Sequence, residues 1–279
     1  DRRPAGETDF RIPPADYVRD ILRCRACGVY MNRHDMLPEG MYDSDYYDIT
    51  YGDGLRAKFE RIMSLPSGES TNKQRVQRII DFLARRESRP ADTSVLDVGS
   101  GLCVFPAQLK RRGFYCELLD PGKASVALAM ELAGVDRAYT CEFDRFTPSR
   151  RYHLVTLNKV IEHVRDPVAM LRRALSCLKE GGLIYMELPD GDRALAAGGP
   201  IDREEFYIDH HFVFTPRSVR CLVRQAGLEI IETQQLYETT DKFTIYAFLS
   251  AASGSSIVGE RSCCKTCGKQ SHDDERGCS

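Results

Sequence analysis

The stretch Val95-Leu96-Asp97-Val98-Gly99-Ser100-Gly101 decides the fold of this chain. Its first four residues are typical of a buried strand, and the two glycines that follow permit a tight turn. A helix-like run from Val104 to Arg112 comes next. In a wound α/β domain, such a unit presents backbone N–H groups and a helix N-terminus at the carboxyl edge of the sheet. The stretch therefore predicts a site for a nucleotide-like ligand.

The composition is that of an ordinary globular protein. The chain has 279 residues, 42% hydrophobic and 29% charged, which suits one large domain with small appendages. A formal net charge of −2 gives no general attraction to polyanions, so no nucleic-acid partner is expected. No apolar run approaches the roughly 20 residues that span a bilayer, and no signal-peptide pattern opens the chain, so membrane insertion is not expected. Eleven cysteines, several inside apolar patterns, favour a reducing cytoplasm over a disulfide framework.

Two Cys-x-x-Cys-Gly segments lie near the ends of the chain, at 24–28 and 264–268. In such a turn the glycine lets the backbone curl beneath two thiolates that point at one metal ion. A structural zinc takes four ligands, and the two segments together supply four cysteines. The alternative is that the first pair holds no metal and that the tail has no fixed structure. The candidate ligands are Cys24, Cys27, Cys264 and Cys267.

The rest of the chain alternates between strands and helices. Apolar residues at 76, 79, 80 and 83 follow helical spacing, with arginines on the opposite face, so a helix is expected before the first strand. Strands separated by helices of about a dozen residues indicate βαβ units and a mostly parallel sheet. The last two strands have no room between them for a crossover helix and must form an antiparallel hairpin. The seven predicted strands are 95–98, 114–119, 138–143, 153–157, 183–188, 228–236 and 242–249.

These patterns predict an α/β fold: a doubly wound, mostly parallel, seven-stranded Rossmann-like sheet that ends in an antiparallel hairpin, with a small N-terminal Cys-knuckle and helical appendage. The expected domains are an N-terminal knuckle and substrate-lid segment at 1–70, a cofactor-binding domain at 71–250 and a flexible Cys-containing tail at 251–279. A Tyr- and Asp-rich stretch at 40–54 is expected to line a site. Tyrosines that clamp a surface loop are an equal alternative for that stretch.

The glycine turn alone leaves the kind of nucleotide-like ligand open. A dinucleotide fingerprint would continue as Gly-x-Gly-x-x-Gly, but position 104 is Val. Asp97, directly before the turn, suits a cationic ligand end better than a pyrophosphate. Asp120 ends the next strand about 20 residues later, where a carboxylate can take both ribose hydroxyls. The alternative for Asp120 is an ordinary turn cap without a ligand.

The motifs occur in the order found in a known enzyme family. The chain resembles class I S-adenosylmethionine-dependent methyltransferases, and in particular the subgroup with an N-terminal Cys-x-x-Cys-Gly segment, over about residues 20 to 249. Much of that subgroup acts on sugars, polysaccharides or small natural products. The matching stretches are Cys24 to Gly28, Tyr46-Tyr47, Asp97 to Gly101, Asp120, Asn158 to Val164, Glu187-Leu188-Pro189, Asp209-His210, Phe214-Thr215-Pro216 and the closing hairpin.

The resemblance implies where S-adenosylmethionine binds. Asp97, Gly99 and Gly101 would cradle its methionine end, and Asp120 would hold its ribose. The position where the family usually has a third glycine is Cys103 in this chain. Two further residues after the third strand would sit beside the adenine, and one after the fourth would line the cavity. The full set of implied cofactor residues is Tyr46, Asp97, Gly99, Gly101, Asp120, Glu142, Phe143 and Asn158.

The resemblance also implies the acceptor side of the site. Methyl transfer is an in-line displacement at a sulfonium, so the enzyme aligns the reactants and, where needed, removes a proton from the acceptor. His210 is the first candidate base and His163 the second; histidines held by structural hydrogen bonds are the alternative. Sugar C-methyltransferases show Tyr-His-Glu-His where this chain has residues 207–210, with one histidine missing, which argues against C-methylation. The candidate catalytic residues are His210, His163, Tyr207 and Asp209.

A related subset of the family, which includes small-RNA and ubiquinone-pathway O-methyltransferases, binds a divalent metal through Glu-x-x-Glu-His. The first position of that motif is Lys159 in this chain, an ammonium where a carboxylate ligand is needed. A catalytic metal at Glu162 and His163 is therefore not expected. The nearly neutral net charge also counts against an RNA substrate.

The sequence thus predicts an enzyme that transfers a methyl group from S-adenosylmethionine to a hydroxyl of a sugar or small-molecule acceptor. Carbon and nitrogen acceptors rank lower. The expected setting is cytoplasmic natural-product or polysaccharide biosynthesis. Two alternatives stay open: an NAD(P)-dependent oxidoreductase, against which Val104 and the terminal hairpin argue, and a non-catalytic binding or scaffold protein on the same fold. The sequence specifies neither the acceptor molecule nor the oligomeric state.

Overall fold

The chain is built around a twisted sheet whose strands were largely visible as apolar runs. This computed structural model describes residue 7 and residues 12–36, 54–199 and 203–253 of the protein. The strands are β1 (Asp20–Arg23), β2 (Tyr30–Arg33), β3 (Ser94–Val98), β4 (Tyr115–Asp120), β5 (Arg137–Thr140), β6 (Tyr152–Asn158), β7 (Leu178–Pro189), β8 (Phe212–Val213), β9 (Leu228–Tyr237) and β10 (Phe243–Ala251).

Helices connect most of these strands. Four of the described helices begin with a side-chain cap, at Ser70, Asp166, Asp190 and Thr215. The Ser70 hydroxyl accepts from the Lys73 N–H, and Thr215 and Ser218 cap each other's N–H groups reciprocally. Among the described residues, no helix is long and apolar enough to cross a membrane. The α-helices of the described ranges are α1 (Leu55–Ser64), α2 (Thr71–Ala84), α3 (Val104–Arg111), α4 (Lys123–Leu128, continued by a π-helical turn, Ala129–Ala133), α5 (Pro167–Ser176), α6 (Gly191–Gly198) and α7 (Pro216–Gln225).

The main sheet has seven strands in the order β5-β4-β3-β6-β7-β10-β9. β3 pairs in parallel with β4 on one side and β6 on the other, while β10 pairs antiparallel with both β7 and β9. The strand order therefore reverses at β3: β4 and β5 continue the sheet on one side, and β6 and β7 continue it on the other. At such a reversal a crevice opens at the carboxyl ends of the strands, here β3, β4 and β6. This arrangement confirms the predicted doubly wound, mostly parallel sheet with a closing antiparallel hairpin.

Both faces of the sheet are covered by apolar helix faces. Val76 and Ile79 of α2 are fully buried in a cluster that includes Val95 of β3. On the other face, Leu171 of α5 and Val219 of α7 are buried in a second cluster. The helical spacing at 76, 79, 80 and 83 therefore marked a face that does pack against the sheet, as expected for an amphipathic helix.

Two strand boundaries differ from the sequence expectation by three or more residues, because strand partners set them. β7 begins at Leu178, well before the predicted 183, since Leu178 pairs with Tyr152 ahead of a register shift in β6. β5 ends at Thr140 rather than 143, because Thr140 already pairs with Asp120, the last residue of β4. In both cases pairing with a neighbour outweighs the local apolar pattern.

The N-terminal hairpin belongs to the same core. β1 pairs with β2, and β2 pairs with the two-residue β8 to complete a three-stranded sheet. In the turn of the hairpin, Gly28 has φ +83° and its N–H donates to the carbonyl of Cys24 at 2.8 Å, which is the expected knuckle curl. Cys24 and Cys27 are buried in the apolar cluster that also holds Phe214.

Candidate active site

A cavity of about 690 Å³ opens at the carboxyl edge of the sheet. Its size is ordinary for a small-molecule or cofactor site. The strand–turn–helix unit forms one wall, and the loop between α6 and β8 forms another. The sequence-predicted residues among its lining are Gly99, Gly101, Asp120, Glu142, Phe143, Asn158, His163, Tyr207, Asp209 and His210. The structure therefore brings the predicted cofactor and acceptor groups to one place.

The turn after β3 needs glycine at its first position. Gly99 has φ +69°, and a Cβ there would lie 2.8 Å from a methyl group of Val160. Cys103, at the family's third glycine position, has φ +57° and is fully buried. Its thiol donates to the carbonyls of Gly101 and Ser125 at 3.3 Å each. The left-handed backbone conformation is therefore reached at Cys103 without glycine, and its side chain packs against the turn.

Asp97 lies beneath the turn rather than in the cavity lining. Its carboxylate is 2% exposed and accepts hydrogen bonds from Thr156 Oγ1 at 2.6 Å and Asn158 Nδ2 at 3.3 Å. Burial raises its pKa to about 6, against the opposing effect of these hydrogen bonds and of Arg75. Asn158 lines the cavity, whereas Asp97 does not. Asp97 can therefore act on a ligand in two ways: by orienting the Asn158 amide and by the negative charge of its carboxylate.

Asp120 joins two loops. One carboxylate oxygen accepts from the Gly101 N–H at 2.9 Å, and the other accepts from the Gly122 N–H at 2.8 Å. The turn-capping alternative is thus present in the geometry, yet the carboxylate also lines the cavity. Because each carboxylate oxygen has two lone pairs, the same group can cap the turns and accept from ligand hydroxyls.

The wall expected to face adenine is held by an arginine that sequence reasoning missed. The guanidinium of Arg173, on α5, donates to the carbonyls of Phe143 and Phe146. It also lies 5.5 Å from the centre of the Phe143 ring. Phe143 is buried and Glu142 lines the cavity beside it. Arg173 therefore fixes the loop after β5.

His210 and His163 form an edge-to-face pair with ring centres 4.7 Å apart. Nδ1 of His210 lies 2.8 Å from the carbonyl of Glu205, and Nδ1 of His163 lies 3.0 Å from the carbonyl of Asp209. A carbonyl oxygen only accepts, so each Nδ1 carries a hydrogen, and the free lone pair of the corresponding neutral tautomer is on Nε2. Both histidines thus present a proton acceptor or metal ligand.

Glu162 completes a cluster with these histidines. Its carboxyl group is fully buried, neither oxygen has a hydrogen-bond partner among the described residues, and burial raises its pKa. One ligand atom each from Glu162, His163 and His210 lies within 4.8 Å of the others. The sequence motif pointed to Glu162 and His163 as possible metal ligands but not to His210, because His210 lies far along the chain from the other two.

Lys159, which stands where the metal-binding motif has its first carboxylate, contacts the closing hairpin. Its ammonium donates to Thr244 Oγ1 and lies 3.5 Å from a carboxylate oxygen of Glu238. The carboxylate of Glu238, which is not part of the Glu162–His163–His210 cluster, therefore partly neutralises the charge of Lys159. A buried carboxylate with two imidazoles fits a divalent cation, and the Nδ1–carbonyl bonds are typical second contacts of metal-binding histidines.

Three predicted site residues lie outside the described residues. Tyr46 and the tail cysteines Cys264 and Cys267 belong to this group. Cys24 and Cys27 are in place at the knuckle, on the hairpin rather than in the cavity lining.

The chain matches a protein-family model described as "Methyltransferase domain" over residues 69–233, more than half of its length. It therefore belongs to this methyltransferase domain family. Neither the oxidoreductase nor the scaffold alternative finds support in this match.

Curated relatives carry a more specific name. The chain is 30% identical over 139 residues to the ubiquinone biosynthesis O-methyltransferase of Serratia proteamaculans, covering 46% of this chain and 58% of the relative. It is 29% identical over 165 residues to the enzyme of the same name from Xanthomonas axonopodis pv. citri, covering 53% and 68%. The match thus spans less than two thirds of the first relative.

Solved structures share the fold. A S-adenosylmethionine-dependent methyltransferase from Clostridium acetobutylicum has a TM-score of 0.56 at 13% identity, covering 71% of this chain and 99% of that one. The magnesium protoporphyrin IX methyltransferase of Synechocystis with bound SAH (S-adenosylhomocysteine) also has a TM-score of 0.56, at 15% identity, covering 75% and 97%. These similarities bear on fold alone.

Proposed function

We propose that this protein transfers a methyl group from S-adenosylmethionine to a hydroxyl oxygen of a small-molecule acceptor. The observation that carries the proposal is the single cavity that joins the Gly99–Gly101 turn and Asp120 to the histidine pair. Family membership, the name of the curated relatives and the SAM- or SAH-bound structural neighbours support it. The Cys-knuckle subgroup, with its sugar or natural-product acceptors, is the finer assignment that we propose within it.

In this proposal the cofactor lies along the carboxyl edge of the sheet. Asp120 accepts from the ribose hydroxyls, the turn approaches the methionine end, and Glu142 and Phe143 contact the adenine. The Asp97 carboxylate beneath the turn provides the negative charge that favours the cationic end of the ligand. Tyr46 is proposed to close the cofactor side.

The chemical step needs alignment and one proton acceptor. The acceptor oxygen attacks the methyl carbon in line with the sulfur, the S–C bond breaks with its electron pair going to sulfur, and SAH leaves. The acceptor proton passes to Nε2 of His210, or of His163, since the carbonyls of Glu205 and Asp209 hold both Nδ1 hydrogens in place. Tyr207 and Asp209 line the acceptor side of the cavity.

Binding and transfer can be tested separately. Calorimetric titration with SAH is expected to show one site per chain. Methyl-labelled S-adenosylmethionine is then offered with catechol, 4-hydroxybenzoate, methyl α-glucoside and cell extract as acceptor sources. Label in an O-methyl product supports the proposal. Folded protein that binds no SAH contradicts it, whereas label on carbon or nitrogen would correct the acceptor atom.

Cofactor affinity is expected to depend on pH through Asp97. Its pKa of about 6 means that the free protein protonates this carboxyl as pH falls, while a cationic ligand requires the ionised form. SAH affinity should be flat above pH 7 and about tenfold weaker at pH 5. Because the raised pKa makes the protonated fold the more stable one, this group does not promote acid unfolding. Calorimetry at several pH values tests the slope, and Asp97→Asn should remove it; an unchanged slope would contradict the assignment.

We also propose two distinct metal sites. Glu162, His163 and His210 fit a divalent cation, which when bound would occupy the Nε2 lone pairs of both histidines. In that form the cation, and not a histidine base, would favour loss of the acceptor proton by lowering the pKa of the acceptor hydroxyl. The buried carboxylate without hydrogen-bond partners in the described part of the chain supports this site. A structural zinc at Cys24 and Cys27, shared with the two tail cysteines, is the second site.

One set of variants separates the two metals. Elemental analysis after dialysis is expected to find about one zinc per chain, retained in Glu162→Gln and lost when Cys264 and Cys267 are both changed to Ser. Calorimetric titration with Mn²⁺ should show the reverse: no binding to Glu162→Gln and unchanged binding to the double cysteine variant. Zinc that survives the cysteine changes, or Mn²⁺ affinity that ignores Glu162, would refute the corresponding site.

A further inference from the structure

The loop that carries the candidate base is held by the N-terminal hairpin. This loop, residues 203–211, is called the His210 loop below. The side-chain amide of Asn32, at β2, donates to the carbonyl of Tyr207 at 3.0 Å and to that of His210 at 2.7 Å. The backbone N–H of Asn32 donates to the carbonyl of His211 at 3.2 Å. One residue, 175 positions from Tyr207 in sequence, thus contacts three carbonyls of the loop.

Other residues near the N-terminus make further contacts to the same main chain. Arg19 donates to the carbonyl of Phe206, and Nε2 of His34 lies 2.7 Å from the carbonyl of Ile208. The N–H of Ile208 donates to the Glu7 carboxylate at 2.6 Å. Buried main-chain groups need such partners, and the few hydrogen bonds within the loop leave several of its carbonyls to be satisfied from outside. The N-terminal segment supplies them here.

Asn32 stands out because of its burial and its geometry. Asn32 is only 1% exposed. Its side-chain amide has two N–H groups, which match the two carbonyls that it contacts. The Tyr207 carbonyl also accepts from the His210 N–H at 3.0 Å, which closes the turn. The two hydrogen bonds from the Asn32 side-chain amide therefore hold both ends of the turn that carries the His210 ring.

We propose that Asn32 is a positioning residue for methyl transfer: it holds the turn of the His210 loop so that the His210 imidazole meets the acceptor. This inference rests on the proposed function above. Asn32 is absent from the cavity lining and donates to the main chain of the loop. Its replacement should consequently affect catalysis without affecting cofactor binding.

The test compares Asn32→Ala and Asn32→Asp with a control on the same strand. Arg33→Ala removes only an exposed ion pair to Asp20 and should behave as wild type. For both Asn32 variants we expect kcat, measured with the best acceptor of the panel above, to fall about 10- to 100-fold, since small misplacement of a reacting group is costly. SAH affinity should stay within about twofold, and amide hydrogen exchange at 206–211 should speed up about tenfold.

The outcomes are distinguishable. Asn32→Asp keeps the shape of the side chain and guards against loss of folding on truncation to alanine. Wild-type kcat in Asn32→Asp would overturn the proposal, because that variant lacks the two donors. A parallel loss of SAH affinity and kcat would also overturn it, since it would indicate a general structural role. If the wild type binds SAH but transfers no methyl group, the proposed function fails, while hydrogen exchange still reports whether Asn32 orders the loop.

Discussion

Replacing His210 by alanine is expected to lower kcat by about 10²- to 10⁴-fold, the usual contribution of a positioned general base. The His210 ring is held by the carbonyl of Glu205, lines the cavity and packs against the ring of His163. The change removes the Nε2 lone pair that would receive the acceptor proton. SAH affinity should stay within about twofold, because His210 is not one of the proposed cofactor residues.

Two comparisons sharpen this experiment. His163→Ala should cost less than His210→Ala if His210 is the base, and the double variant should cost little more than His210→Ala alone. His153→Ala is the matched control, since His153 is bonded to Ser94 at the other end of the sheet. A His210→Ala enzyme with wild-type kcat would exclude His210 as the required base, and a double variant with wild-type kcat would exclude both histidines.

Replacing Asp120 by alanine is expected to weaken SAH and S-adenosylmethionine binding by about 100-fold. Hydrogen bonds to a charged group contribute about 1.5–3 kcal/mol, and the ribose hydroxyls would lose such a partner. The change also leaves the N–H groups of Gly101 and Gly122 without their acceptor, which loosens both loops of the cofactor wall. Calorimetric titration measures the loss directly.

A second carboxylate serves as the control. Asp136 accepts from the backbone of Cys116 and from Lys110 at 2.7 Å each, at the amino-terminal end of β4. Asp136→Ala should lower thermal stability and leave SAH affinity unchanged. If Asp120→Ala bound SAH as tightly as Asp136→Ala does, the carboxylate would be a turn cap and nothing more.

Local sequence patterns predicted most of the sheet. The run at 95–98 became β3, the helical spacing of α2 marked its buried face, and the short connection before 242 forced the closing hairpin. Such features depend on neighbours within a few residues, so they are visible in a single sequence. The turn glycines were predictable for the same reason, since Gly99 and Gly101 both have positive φ, a local backbone conformation that favours glycine.

The contacts that complete the site were not predictable in this way. β8 has two residues and no pattern of its own, and it exists because β2 pairs with it. His210 meets Glu162, and Asn32 meets Tyr207, only after the chain has folded. Long-range side-chain contacts of this kind leave no periodic trace, so the cluster of Glu162 with the two histidines and the contact of Asn32 with the loop appeared only in the structure.

The shared core of the hairpin and the sheet has a consequence for engineering. The family match begins at residue 69, after the hairpin, yet the hairpin supplies the strand beside β8 and the amide that anchors the His210 loop. A fragment that begins at residue 69 would lack Asn32 and β2, and with them the contacts that hold its His210 loop. Chimeras that exchange acceptor preference between relatives are accordingly expected to need the hairpin and the His210 loop from the same parent, because the hydrogen bonds of Asn32 join the two segments.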